Sequence, residues 1–375
     1  MMLPNTYYPL IKRAMLISMY VFAFLLTLSI PFVKTFLLGE IDTNLQRQFI
    51  IYFFVIQFVT PIINFGLGWA KIRKFIECGQ QEVFQVAKPT ILLIAILPLF
   101  SFKAFIIAII CLLNTYFTFN LQILRLKGSR WTYYGLRLGR GLLEIVSVLT
   151  FVYSATSKTI SIFILFELLV LIIITTVMFV YLNDKIKIDK RYFPYSRDFA
   201  YMAIKTVKAN MFRITLPFLF PYVSFDKLFF ILLGYEMVSQ FVSINFSVQL
   251  MKNPTSIRLL LIFCLITLPF QILSILTITH VFQWTVEIQE IIFILIVGNV
   301  SLLTTAIISL IKNGQFNQYY RFLIFQLAAS FFSIGCAIVL QLKTSYLLGT
   351  LLIPIICEAI YLVFRLYCLQ KEKST

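Results

Sequence analysis

Two glutamates stand inside otherwise apolar runs, Glu167 in "ISIFILFELLVLIIITTVMFVYL" and Glu358 in "LLIPIICEAIYLVF". A carboxylate surrounded by hydrocarbon is costly, so such a residue finds a partner or takes up and releases an ion. Both are therefore candidates for coupling to a proton or a sodium ion. Arg137, Arg140 and Glu144 fall at i, i+3 and i+7 and share a helix face. The i, i+4 pair Arg140 and Glu144 either lowers its own cost of insertion or orients a cation toward a ligand. Arg213, Lys34 and Lys227, the last beside Asp226, lie near the ends of further apolar runs. Singly such cations are explained by snorkelling to the interface; together they would give a positively charged lumen suited to an anionic substrate.

Further polar residues repeat at helical spacing as well. Gln57, Thr60, Pro61 and Asn64 form one stripe, Glu236, Gln240, Ser243 and Ser247 a second, and Gln326, Ser330 and Ser333 a third. Any one stripe is accounted for by hydrogen bonds between packed helices. Several stripes in one chain favour a shared polar cavity.

The elements that must position these residues follow from composition. The 375 residues are 60% apolar and 13% charged, about half the charge of a soluble average. This predicts a polytopic membrane protein. At roughly 20 residues per crossing, spans are predicted near 14–38, 49–70, 86–101, 104–124, 138–155, 159–182, 209–233, 236–251, 259–280, 290–311, 322–341 and 346–367. With the N-terminus inside, the 32 Lys and Arg residues fall on the cytoplasmic side except Lys34, Arg47, Lys103, Lys158, Lys227 and Lys343. That bias places both termini in the cytoplasm and accounts for the net charge of +17 without nucleic acid.

The stretch 186–208 is basic and divides residues 1–185, an N-terminal lobe of six spans, from residues 209–375, a C-terminal lobe of six more. An even number of spans brings both lobes in from the same side, as parallel repeats. "FLLGE" at 36–40 and "ILLGYE" at 231–236 are a faint echo of one another.

No phosphate-binding glycine loop, dinucleotide fingerprint or HExxH motif occurs. The outward loops are short, which argues against an enzyme. The six cysteines show neither CxxC spacing nor clustering with the single histidine, His280, so no metal site, cofactor or disulfide framework is expected.

"TFLLGEIDTNLQRQFIIYFFVIQFVTPIINFGLGWAKIRKF" (35–75) resembles the first signature of the polysaccharide flippases of the multidrug, oligosaccharidyl-lipid and polysaccharide (MOP) superfamily, the Wzx-type O-antigen transporters. The match runs through Leu38, Gly39, Asn64, Phe65, Gly66, Leu67, Arg73 and Lys74. "RITLPFLFPYVSFDKLFFILLGYEMVSQF" (213–241) is similar to the start of that family's second lobe. "DTNLQRQF" stands where the family often has a Gly-aromatic pair, and the chain is short for the family.

The resemblance implies an all-α polytopic fold of about twelve transmembrane helices in two parallel six-helix lobes around a central cavity, MATE/MOP-like. It also implies transfer of an undecaprenyl-diphosphate-linked oligosaccharide unit across the bacterial inner membrane by alternating access, for O-antigen or capsule-type lipopolysaccharide and polysaccharide biosynthesis. The implied partners are the lipid-linked sugar, membrane lipids, a coupling proton or sodium ion and polysaccharide polymerase machinery. Two rival readings are a small-molecule or drug antiporter of the same superfamily and a membrane-embedded polysaccharide polymerase or ligase.

Overall fold

A computed structural model describes residues 33, 43–79, 83–154, 159–182, 186–189, 196–219, 247–248, 250–252, 257–281, 287–303, 306–339 and 344–374. The described part is helical almost throughout. Its elements are α1 (Thr43–Val59), α2 (Leu67–Cys78), β1 (Gln85–Ala87), α3 (Lys88–Ile96) with a 3-10 turn at Leu97–Leu99, α4 (Phe102–Lys127), α5 (Arg130–Ser154) and α6 (Ile160–Leu182). They continue with β2 (Lys187–Asp189), α7 (Ser196–Leu219), α8 (Ile257–Val281), α9 (Ile288–Leu303), α10 (Ile307–Lys312), α11 (Phe316–Val339) and α12 (Thr344–Ser374). The first predicted span, except Val33, and the echo at 36–40 and 231–236 lie outside the described residues.

Among the described residues, three helices are long and apolar enough to cross a membrane: α4, α6 and the stretch Leu352–Glu372 of α12. In α4, the Ser101 hydroxyl accepts a bond from the Ala104 amide at 3.2 Å, and a left-handed Gly128 closes the other end after Arg125 and Lys127. Both devices meet backbone groups that a helix leaves open at its ends. α6 is apolar on every side: Phe163, Leu171 and Met178 pack inward while Leu165, Leu169 and Val180 remain exposed. An apolar outer face is what lipid requires. α6 packs on α4 and α5, and α12 packs on α9 and α11.

The second and third predicted spans are not continuous helices. α1 stops at Val59, residues 60–66 run through successive turns, and α2 begins at Leu67. Pro61 cannot donate to the helix ladder, and Phe65 and Gly66 have φ of 48° and 72°, outside any right-handed helix. Thr60, Pro61 and Asn64 therefore leave the helical stripe in which the sequence places them. The third span is the strand β1 followed by α3 and its 3-10 turn, whose twelve residues extend about 20 Å against the ~30 Å of hydrocarbon.

Both interruptions lie level with the middle of α4. The Thr115 hydroxyl, midway along this 26-residue helix, donates to the Thr60 carbonyl at 2.7 Å. Phe84, just before β1, packs edge-on against Tyr116 with ring centroids 5.1 Å apart. Backbone that leaves the helix at such depth must find hydrogen bonds inside the protein. Asn64, 1% exposed, supplies them: its Nδ2 donates to the Gln85 carbonyl and its Oδ1 accepts from the Ala87 amide, each at 2.8 Å. Thr90 donates to the Ile63 carbonyl at 2.7 Å. The other edge of β1 pairs in parallel with β2, Gln85 opposite Lys187 and Ala87 opposite Asp189.

Gly66 is needed for its conformation and for its size. A Cβ there would lie 2.3 Å from the backbone nitrogen of Phe199, whereas at Gly68 it would meet only the Thr115 methyl at 3.9 Å. Gly66→Ala is accordingly expected to lower the Tm of the detergent-solubilised protein by several degrees and Gly68→Ala to leave it nearly unchanged. Asn64→Leu, which strands two buried backbone groups at about 1–3 kcal/mol each, should match or exceed the loss in Gly66→Ala. Thermal unfolding of the three variants followed by size-exclusion recovery tests this order.

Candidate functional site at the seam between the halves

The first half meets the second chiefly through α1 and α2, which pack on α7 and α10. α2 is amphipathic: Leu67, Ala70, Ile72, Phe75 and Ile76 are buried while Lys74 and Glu77 are exposed. Its Arg73 crosses the seam. Nε and Nη2 donate to the two carboxylate oxygens of Asp198 at 2.9 and 3.0 Å, and Nη1 donates to Glu77 at 2.8 Å. Asp198 is 2% exposed, and a two-pronged bond to a buried carboxylate fixes direction as well as distance. Arg73 also lies over the Phe316 ring, at 5.4 Å.

One turn away along α2, the Trp69 ring stacks on Tyr201 at 4.9 Å and 24°, and Phe65 stacks on Phe199 at 5.5 Å. Lys205 Nζ sits 5.8 Å from the Trp69 ring centre and 5.9 Å from that of Tyr201.

Deeper in the second half, Lys208 pairs with Glu358. The ammonium also donates to Gln326 Oε1 at 2.7 Å, and the Tyr319 hydroxyl donates to the other Glu358 oxygen at 2.7 Å. The Gln326 amide in turn donates to the Pro354 carbonyl. Lys208 comes from α7, Tyr319 and Gln326 from α11 and Glu358 from α12, so four residues from three helices form one buried polar network. Ser330 and Ser333, the rest of the Gln326 stripe, are buried on the same helix.

In the first half, Arg140 Nε donates to Glu144 at 2.8 Å, and the guanidinium lies 5.0 Å from the Phe117 ring centre. Arg137 donates to the Tyr133 hydroxyl at 3.0 Å and is within electrostatic reach of Arg125. Glu167 is 7% exposed and lies beside Tyr52 and Cys111. Gln57 is half-buried on α1.

The sequence-derived candidates thus fall in two places. Glu358 and Gln326 join the network on α11 and α12, whereas Arg140, Glu144, Arg137 and Glu167 belong to α5 and α6. Asn64 serves the backbone of residues 85–87 instead of lining a cavity. Arg213 lies on α7, and its side chain is outside the described residues, as are Lys34, Asp226, Lys227 and Gln240.

Asp198, Tyr201, Lys205 and Lys208 were absent from the sequence-derived candidates because topology had placed them in a cytoplasmic linker. Their spacing of i, i+3, i+7 and i+10 is that of one helix face, which was the available signal. No group of His, Cys, Asp and Glu that would hold a metal occurs among the described residues.

Comparison with known proteins leaves the family open: no family model, curated protein or solved structure matches the chain.

Removing one partner of a buried ion pair leaves the other charge stranded, at about 3–5 kcal/mol, while replacing both with apolar groups of similar volume is often close to neutral. Lys208→Met and Glu358→Gln are each expected to destabilise the second half strongly. The double variant should regain most of the loss. A double-mutant cycle on thermal unfolding measures this coupling, and additive losses would contradict the network.

Proposed function

We propose that the chain is a polysaccharide-type flippase of the bacterial inner membrane, moving an undecaprenyl-diphosphate-linked sugar unit from the inner to the outer leaflet by alternating access of two six-helix lobes. The observation that carries this reading is the positive charge collected where the halves meet. Lys205 lies within electrostatic reach of Arg125 and Lys208, with Glu358 the opposing charge, and the seam that holds it joins α2 of the first half to α7 of the second. Cations in a low-dielectric setting favour a substrate with concentrated negative charge, as a diphosphate has.

Helices interrupted at mid-depth support transport as well. Discontinuous spans are common in transporters, where they separate an outer from an inner half-helix that move independently. The resemblance of residues 35–75 and 213–241 to the MOP flippases supplies the substrate class. On this reading both termini are cytoplasmic, and Arg137, Arg140, Arg213, Lys34 and Lys227 contribute positive charge to the translocation path. Glu144 orients Arg140, and Glu167, Glu358 and Asp226 are candidates for carrying the coupling ion.

Deleting the gene should abolish surface polysaccharide and cause lipid-linked repeat units to accumulate in the inner leaflet. The intact chain should restore the polymer, and Arg140→Ala, at normal protein level, should not. Unchanged polymer on deletion, together with new sensitivity to organic cations, would instead establish the drug-antiporter reading.

A further inference from the structure

Two buried hydrogen-bond donors in the seam between α2 and α7 lack an acceptor, and a half-buried cation, Lys205, lies beside them. The Trp69 indole nitrogen and the Tyr201 hydroxyl are shut off from solvent with no hydrogen-bond partner, and Tyr201 is 0% exposed. Lys205 meets the faces of these two rings. No carboxylate among the described residues lies within ion-pair distance of it. Of the charged groups within its electrostatic reach, Arg125 and Lys208 are cationic, and the single carboxylate, Glu358, is already paired with Lys208. Donors buried without acceptors are costly. What this place lacks is an anion rich in acceptor oxygens.

We propose that the α2–α7 seam is a binding site for a phosphate- or diphosphate-type oxyanion, closed by the Arg73–Asp198 clamp and opened when α2 moves off α7. The means of opening lie in the chain itself. α2 is cut from α1 by residues 60–66, with Phe65 and Gly66 in the left-handed region, so it has a pivot at its N-terminal end. Its hold on α7 includes the Arg73–Asp198 bonds, the Trp69–Tyr201 and Phe65–Phe199 stacks and the close approach of Gly66 to Phe199. In the closed seam the stacked rings flank Lys205. When they separate, the indole N–H, the phenol O–H and the ammonium become available to one ligand, and its oxygens satisfy all of them.

Clamp and ligand therefore oppose each other: closing the seam strands the donors, and filling the site requires Arg73 to release Asp198. The oxyanion has two possible sources, the head of a lipid-linked diphosphate or a soluble diphosphate. The proposal rests on the transport reading only for the first.

Titration calorimetry on the full-length purified protein in detergent, with inorganic pyrophosphate and with farnesyl diphosphate, tests it. The wild type should bind, Lys205→Gln should weaken binding by roughly tenfold or more, and Trp69→Phe, which removes one neutral donor, by about fivefold. Asp198→Asn loosens the clamp and removes a nearby negative charge, so it should bind more tightly. Lys103→Gln, at an exposed cation in the first turn of α4, should bind as the wild type does.

Tighter binding of farnesyl diphosphate identifies the lipid-linked source, and equal binding the soluble one. The proposal is overturned if neither probe binds the wild type. It is also overturned if Lys205→Gln and Trp69→Phe, each eluting as a folded monodisperse protein, both bind normally. Should pyrophosphate bind as described while gene deletion leaves surface polysaccharide intact, the site stands and the flippase reading falls.

Discussion

Backbone that leaves the helix inside a packed helical body has little water to satisfy its amides and carbonyls, and much of this structure follows from how residues 60–66 and 84–90 meet that requirement. The Asn64 side chain has one donor face and one acceptor, and it uses them on Gln85 and Ala87 as a neighbouring strand would. Thr90 and Thr115 take the carbonyls of Ile63 and Thr60. β2 covers the opposite edge of β1. With those bonds in place, α1 and α2 are separated by residues 60–66, and α2 serves as an interface element.

That division explains the character of α2. A helix of twelve residues is marginal alone in water, and this one is held by what it packs against. The buried side rests on α4, α7 and α10, while Arg73 reaches Asp198 across 125 residues of sequence. Because Gly66 leaves no room for a side chain against Phe199, the two backbones approach closely there. Directional contacts and a close backbone approach occur together where α2 meets α7.

The buried charges are also unequal in kind. Lys208 and Glu358 are enclosed with Tyr319 and Gln326, so every strong group has an answer. Arg140 and Glu144 neutralise each other along one helix and place the guanidinium on an aromatic face. Lys205, half-buried, lies against two ring faces with Glu358, Arg125 and Lys208 in electrostatic reach. Ring faces return only part of the cost of desolvating a cation, so Lys205 is held differently from the paired charges of the second half.

Much of the membrane character was legible in the chain itself. Apolar runs such as 160–182 dictate helices because no other structure satisfies backbone in lipid, and α4, α6 and α12 formed close to where hydropathy placed them. The i, i+4 spacing of Arg140 and Glu144 determined their pairing, since a helix brings those positions together whatever surrounds it. The interruptions in the second and third spans were hidden, because hydropathy does not distinguish a continuous apolar helix from one broken at Pro61 and Gly66. Only the tertiary structure decided which partner Asn64 would have, that Arg73 would meet Asp198, and that Lys208 would meet Glu358. Those contacts join residues from 21 to 150 positions apart, and local periodicity carries no information about which helix faces pack together.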